Sequence, residues 1–202
     1  MAAGIERVLP MKIGLLGGTF DPPHHGHLIM ADEAMSACGL DEVWFLPSHI
    51  PPHLERKATR RTTPVHHRIE MVRLAIQGND RFKLSLVEVE RKGRSYTYDT
   101  LMELGERYPQ HDFHFIIGAD MVNDLPKWHR FEEIKASVQF IGLNRPGIVA
   151  HPPDGVAIEF VDMPEIAISS SMIRERIRLR QPWRYLLPEA VKTYIEENDL
   201  YG

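Results

Sequence analysis

The feature that most narrows what this chain can fold into is a regular alternation of short apolar runs with segments of helical period. Lys12–Leu16 (KIGLL) is a compact apolar run closed by Gly17-Gly18. It is too short for a stable helix and lacks the polar alternation of a half-exposed strand, so it reads as a strand buried on both faces. Leu28, Ala31, Ala34, Met35 and Cys38 then recur at helical spacing as far as Gly39, a natural helix stop. Glu42–Leu46 (EVWFL) is the next strand, ended by Pro47. Residues 48–64 are rich in proline and basic side chains without periodicity and read as a long mobile loop.

The pattern continues to the end of the chain. Pro64 opens a helix carrying Ile69, Val72 and Ile76 on one face. Phe82–Val89 (FKLSLVEV) alternates as a strand does, and a helix is expected near Asp99–Tyr108. His111–Ile117, Val138–Leu143 and Ile158–Val161 complete the strands. Ser169–Ser171 form a cap cluster for a helix over Met172–Leu179, and a last helix runs from about Pro188 to Asn198. Strands separated by helices require right-handed crossovers and a largely parallel sheet. The expected fold is therefore α/β: a Rossmann-like, doubly wound, mostly parallel sheet with helices on both faces, in a single domain over residues 11–202. Residues 1–10 are expected to be a flexible leader, with Met11 as an alternative start.

Composition excludes several functions. A net charge of −4 at pH 7 offers no strong polyanion-binding surface, so nucleic acid is not an expected partner. Apolar runs such as Phe113–Gly118 fall far short of the ~18 residues that span a bilayer, so neither is a membrane. The opening MAAGIERVLP has no apolar signal core. A single cysteine, Cys38, cannot form an internal disulfide and fits a reducing cytoplasm. The pattern is neutral on oligomeric state.

In a doubly wound sheet the ligand sits beyond the carboxyl ends of the strands. The residues richest in chemistry fall there: Gly17–His27, Pro47–His53, Gly118–Asp120 and Asn144–Gly147. In GGTFDPPHHGHL (Gly17–Leu28), two glycines permit close backbone approach, and Asp21 precedes a proline that stiffens the loop. His24 and His27 fall where the first helix begins, and imidazoles at a positive helix end can donate to phosphate oxygens. A zinc site built from His24, His27 and Asp21 or His25 is the rival reading, but it leaves the glycines without a role. The Walker A and G-x-G-x-x-G patterns are both absent. Ser170 and Arg174, at the start of the Ser169–Ser171 helix, make a second anion site from free N–H groups, hydroxyls and a guanidinium.

The string GGTFDPPHHGHL closely resembles the first signature of bacterial nicotinate-nucleotide adenylyltransferases, within the H-x-G-H nucleotidyltransferase superfamily. PSHIPPH (Pro47–His53), ERKGRSYTYDTL (Glu90–Leu101), LPKWHRF around Trp128 and ISSSMIR (Ile168–Arg174) are similar to later signatures in family order. Two positions depart from the pattern. Leu54 stands where a Lys usually follows PPH, with Arg56 and Lys57 beyond, and Ser171 replaces a Thr.

The resemblance implies transfer of the adenylyl group of ATP to nicotinate mononucleotide, giving nicotinate adenine dinucleotide and pyrophosphate in the cytoplasm. It implies ATP contacts from Gly17, Gly18, Thr19, Phe20, His24, His27, Gly118, Asp120, Ser169, Ser170 and Arg174. Of these, His24, His27 and Arg174 would be catalytic. The nicotinate mononucleotide would meet Tyr96, Thr97 and Trp128, with Trp128 stacking on the ring. Mg²⁺ is expected on the ATP phosphates, with no metal cage of protein ligands. Residues 48–64 are a candidate lid. The alternatives are nicotinamide mononucleotide or phosphopantetheine as acceptor, or a non-enzymatic nucleotide sensor on the same fold.

Overall fold

The computed structural model describes residues 9–51, 62–144 and 149–202. In chain order the elements are β1 (Lys12–Gly18), α1 (His25–Cys38), β2 (Glu42–Pro47), α2 (Val65–Ile76), β3 (Phe82–Leu84), α3 (Val87–Arg91) and α4 (Thr97–Arg107). There follow β4 (Asp112–Gly118), α5 (Ala119–Val122), α6 (Phe131–Ser137), β5 (Gln139–Leu143), β6 (Ile158–Val161), α7 (Ser170–Arg178) and α8 (Glu189–Glu197). Among the described residues the strands form one sheet in the order β3-β2-β1-β4-β5-β6, and every pairing is parallel. The chain builds outward from β1 to β3, then crosses back to lay β4 on the other side of β1. That reversal opens a crevice above β1 and β4.

Strand side chains alternate between two faces, and the buried residues follow that rule. Leu16 joins Ala31, Ala34, Phe45 and Val72 on the face covered by α1 and α2. Ile13 and Leu15 join Leu101, Leu104, Phe115 and Ile134 on the face covered by α4 and α6. A third cluster, with Met71, Ile173, Val191 and Ile195, packs α7 and α8 on the outer side of α2. Val191 and Ile195 are fully buried, and together they stabilise the docking of α8 by about 3–6 kcal/mol.

The expected doubly wound α/β sheet is the one observed. Gly39 stops α1 in the left-handed region, at φ 62°. Two elements differ from expectation. Of Phe82–Val89 only Phe82–Leu84 is strand, and Val87–Arg91 turns into α3. Alternation over so short a window fits either period, and the tertiary contacts decide. The helix carries Val87 into the core and Glu88 inward to Thr100, whose Oγ1 donates to Glu88 Oε1 at 2.9 Å. The short α6 was not expected, although its Phe131 and Ile134 are spaced one turn apart and both buried. Of the expected leader, residues 1–8 lie outside the described residues, as do residues 52–61 of the expected lid and residues 145–148.

Candidate active site

The segment from Gly17 to His27 leaves β1, crosses above the sheet and enters α1. Phe20 sits at φ 49°, which turns its ring down into the core. There it lies edge-on to His27, at 5.0 Å, and tilted on Phe45 at 5.8 Å. A Cβ on Gly18 would meet the Phe20 ring at 3.0 Å, so the side chain of this same loop already favours a glycine there. His24 is the N-cap of α1 and is buried. Its ring stacks on that of His27 with centroids 3.8 Å apart, and a Cβ on Gly26 would strike it at 3.0 Å. A side chain at this position would crowd the stacked rings. The backbone N–H of His24 donates to His27 Nδ1 at 3.2 Å. With that lone pair engaged, neutral His27 carries its proton on Nε2, which makes Nε2 a donor.

α7 meets the same loop from the other side. Ser169 caps it, its Oγ accepting from the N–H of Met172 at 3.2 Å. Ser170 Oγ donates to the carbonyl of Pro22 at 2.8 Å. Arg174 donates through Nη1 to the carbonyl of Asp21 and through Nη2 to Ser171 Oγ at 3.0 Å. The starts of α1 and α7 are thus tied together across Asp21-Pro22, and both present positive helix ends to one place.

Behind the loop stands Arg68, a residue of α2 that is 1% exposed. Its guanidinium donates to the carbonyls of Thr63 (3.0 Å), Thr19 (2.8 Å) and His49 (3.1 Å). Burial pulls its pKa below the usual arginine value, while Asp21 and Tyr201 act in the opposite direction. The Asp21 carboxylate is buried, accepting from Tyr201 Oη at 2.6 Å and from the N–H of Thr63 at 3.3 Å.

A cavity of about 500 Å³ opens on the β1–β4 crevice. Gly17, Gly18, Thr19, Tyr96, Thr97 and Trp128 all line it. Trp128 is half-buried and stands edge-on to Phe115 at 5.7 Å and to Phe140 at 6.3 Å, leaving an aromatic wall. α4 starts at Thr97 with no side-chain cap, so the N–H groups of its first turn are left for another acceptor. The cavity has the size and the mixed apolar and polar lining of a nucleotide-sized site.

The expected site residues therefore fall into two adjoining groups. One is the cavity set just named. The other is the α1–α7 set of His24, His27, Ser169, Ser170 and Arg174. Phe20 joins neither as a wall, since its ring is in the core. Gly118 ends β4, and Asp120 is exposed on α5, next to the cavity residue Met121. The basic candidates Arg56 and Lys57 lie outside the described residues. Among the described residues no cluster of three or more His, Cys, Asp or Glu is arranged to hold a metal ion, and no helix is long and apolar enough to cross a membrane.

Sequence reasoning missed several residues here. Ser48 and Glu88 also line the cavity. Ser48 Oγ is buried without a hydrogen-bond partner among the described residues. Glu88 accepts from Thr100, and burial raises its pKa above the ordinary value for a Glu. Asp21 stood within a recognised string, but nothing local showed that its carboxylate gathers distant segments.

Comparison with known proteins supplies the family and supports the fold. A family described as cytidylyltransferase-like matches residues 15–176. The nicotinate-nucleotide adenylyltransferase of Bacillus subtilis (strain 168) is 53% identical over 190 residues, covering 94% of this chain and 98% of that protein. Two solved structures of Plasmodium falciparum nicotinic acid mononucleotide adenylyltransferase, one complexed with APC and one with NaAD, share the fold. Each has a TM-score of 0.77 at 22% identity, covering 95% of this chain and 97% of that one. With a matching family over most of its length and a relative this similar from end to end, the chain belongs to the nicotinate-nucleotide adenylyltransferases of the cytidylyltransferase-like family.

Proposed function

We infer that the protein transfers the adenylyl group of ATP to nicotinate mononucleotide, giving nicotinate adenine dinucleotide and pyrophosphate in NAD biosynthesis. The observation that carries this reading is the meeting of two helix starts, α1 and α7, across Asp21-Pro22, immediately beside a cavity walled by Trp128 and Phe115. A triphosphate and a flat ring on a phosphorylated ribose are the chemistry that pair of sites accommodates.

The reaction needs no general base. The nucleophile is the phosphate of the mononucleotide, whose second pKa near 6 leaves it largely dianionic at neutral pH. Its oxygen bonds to the α-phosphorus of ATP. The bond from that phosphorus to the bridging oxygen breaks, and pyrophosphate leaves with the electron pair. The barrier lies in bringing anions together in line and stabilising charge as it develops. His27 Nε2–H, His24, the first turn of α7 with Ser169 and Ser170, and Arg174 supply fixed donors for that charge. Gly17–Phe20, Gly118 and Asp120 contribute the rest of the ATP site, Asp120 as an acceptor for ribose hydroxyls. Trp128 stacks on the pyridine ring beside Tyr96, and the N–H groups at the start of α4, from Thr97 on, donate to the ring's carboxylate; the N–H of Tyr96 itself is taken by the carbonyl of Arg94. Mg²⁺ would accompany ATP and screen its phosphate charge; the donors here are imidazoles, hydroxyls and a guanidinium rather than clustered carboxylates, so phosphate and water would hold the ion. The protein works in the cytoplasm.

The test is pyrophosphate release with ATP and Mg²⁺, run in parallel with nicotinate and nicotinamide mononucleotides at equal concentration. A strong preference for nicotinate is expected. Equal rates would refute the role given to the α4 start, and no release with either would refute the reaction.

A further inference from the structure

We propose that Tyr201 is a positioning residue for the phosphate end of the site: it holds the Asp21 carboxylate, and Asp21 in turn holds Arg174 against the head of α1. The proposal rests on the reading above, in which Arg174 meets the phosphates of ATP.

Tyr201 lies four residues beyond α8, far in sequence from anything that reads as catalytic. Its hydroxyl donates to Asp21 Oδ1 at 2.6 Å, across a separation of 180 residues. That length is typical of a strong O–H···O⁻ bond to an ionised acceptor. Burial, with the Asp21 carboxylate beside it, drives the phenol pKa up, so the group stays a donor at any working pH. Asp21 Oδ2 lies 3.9 Å from Arg174 Nη1, and the same guanidinium nitrogen bonds the Asp21 carbonyl. The order of contact is Tyr201, Asp21, Arg174, and each link is polar and at least partly shielded from water.

Asp199 and Tyr201 both take left-handed conformations, at φ 48° and 72°. Such conformations are unfavourable for residues with a Cβ and persist only where surroundings over-determine them. At Asp199 the left-handed turn closes α8, with the N–H of Leu200 donating to the carbonyl of Ile195 at 3.0 Å, and Leu200 and Tyr201 pack on the cluster that holds Val191 and Ile195. Beyond that turn the phenol of Tyr201 reaches Asp21, and its oxygen also lies 3.9 Å from Met71 Sδ.

Tyr201→Phe keeps the ring and removes only the hydroxyl. Loss of one hydrogen bond to a charged group is worth about tenfold, and the expected loss falls on kcat/KM for ATP. KM for nicotinate mononucleotide should stay within about twofold. In an Arg174→Ala background the same substitution should change kcat/KM for ATP by less than about twofold, since the residue it acts through is gone. A merely structural tyrosine would lower the melting temperature and leave both constants of the folded enzyme alone, and that result overturns the proposal. An equal tenfold loss in both backgrounds also overturns it. Should Tyr201→Phe fail to fold, Asp21→Asn makes the same test: it keeps the shape and gives up the attraction to Arg174, and an unchanged kcat/KM for ATP overturns the chain of contacts. If the wild-type protein released no pyrophosphate, the adenylyl-transfer reading would fail separately. ATP binding by calorimetry on the same variants would then decide the role of Tyr201, a tenfold weaker Kd in Tyr201→Phe supporting it and an unchanged Kd overturning it.

Discussion

Replacing Arg68 with methionine should cost stability and substrate affinity together, and the size of the first effect follows from the contacts. The guanidinium makes three hydrogen bonds, to the carbonyls of Thr63, Thr19 and His49, at 2.8–3.1 Å. A hydrogen bond from a charged donor contributes about 1.5–3 kcal/mol. Against this stands the desolvation of a cation that is 1% exposed, a cost that methionine removes. Losing one partner of a buried charged cluster typically nets about 3–5 kcal/mol, because the groups left behind stay buried. That is a large part of the roughly 5–15 kcal/mol that holds a domain together. At this chain length each kcal/mol moves the melting temperature by about 2–4 °C, so a fall of roughly 10 °C is expected in a thermal melt followed by circular dichroism. Thr19 and Ser48-His49 flank the cavity, so the surviving folded enzyme should show a raised KM for nicotinate mononucleotide. Arg68→Lys should fall between, since an ammonium cannot span three carbonyls as a planar fork does. A methionine variant melting within about 2 °C of wild type would show that the loop is held by packing alone, and the reasoning would be wrong.

Two further outcomes follow from the site. His27→Ala should fold normally, because the ring is half-exposed and its backbone is helical, yet lose roughly 100- to 1,000-fold in kcat as a missing transition-state donor; a turnover within about threefold of wild type would remove His27 from the mechanism. Glu88 gives a pH effect whose sign is fixed by burial, which raises its folded pKa. The unfolded chain loses the proton first as pH rises, so the contribution of Glu88 is fully present below the unfolded value of about 4.3 and is lost as pH rises through the higher folded value. The melting temperature of Glu88→Gln relative to wild type should therefore climb as pH rises from about 4 through the raised folded value, and a flat difference would contradict it.

How much of this was legible beforehand depended on the range of the interaction. Buried strands and amphipathic helices announce themselves locally, so Lys12–Leu16, Glu42–Leu46 and the Leu28–Cys38 period led directly to a doubly wound sheet. Phe82–Val89 misled because its alternation is equally what a short strand followed by a turn of helix looks like. What settles that segment is Glu88 reaching Thr100 in the next helix, a contact no local window contains. The same division holds in the site. His24, Gly26, His27 and the serines before Arg174 lie in compact strings whose chemistry is local. Gly18 was readable as a glycine with a purpose, but the purpose that the structure supplies is the ring of Phe20 lying over it. Tyr201 carried no signal at all, since its partner is 180 residues away.

The electrostatics of the loop turn on a problem that the fold must solve before any ATP arrives. Asp21 places a buried carboxylate beside the helix starts that would meet a triphosphate, and an uncompensated anion there would repel the substrate. Arg68 lies close enough for Asp21 to act on its pKa, and it is fixed by carbonyls rather than by the carboxylate. Arg174 is oriented by the same Asp21, their closest charged contact being 3.9 Å, and its side chain keeps 19% of its surface exposed. In the proposed reaction the imidazoles would add directed N–H groups, and the two helix ends would add partial charge that needs no reorganisation as pyrophosphate forms. An ion pair between Arg174 and Asp21 at full contact would hold the guanidinium more tightly but leave less of its field for phosphate. The phenol of Tyr201, by taking the other carboxylate oxygen, allows the looser arrangement to stand.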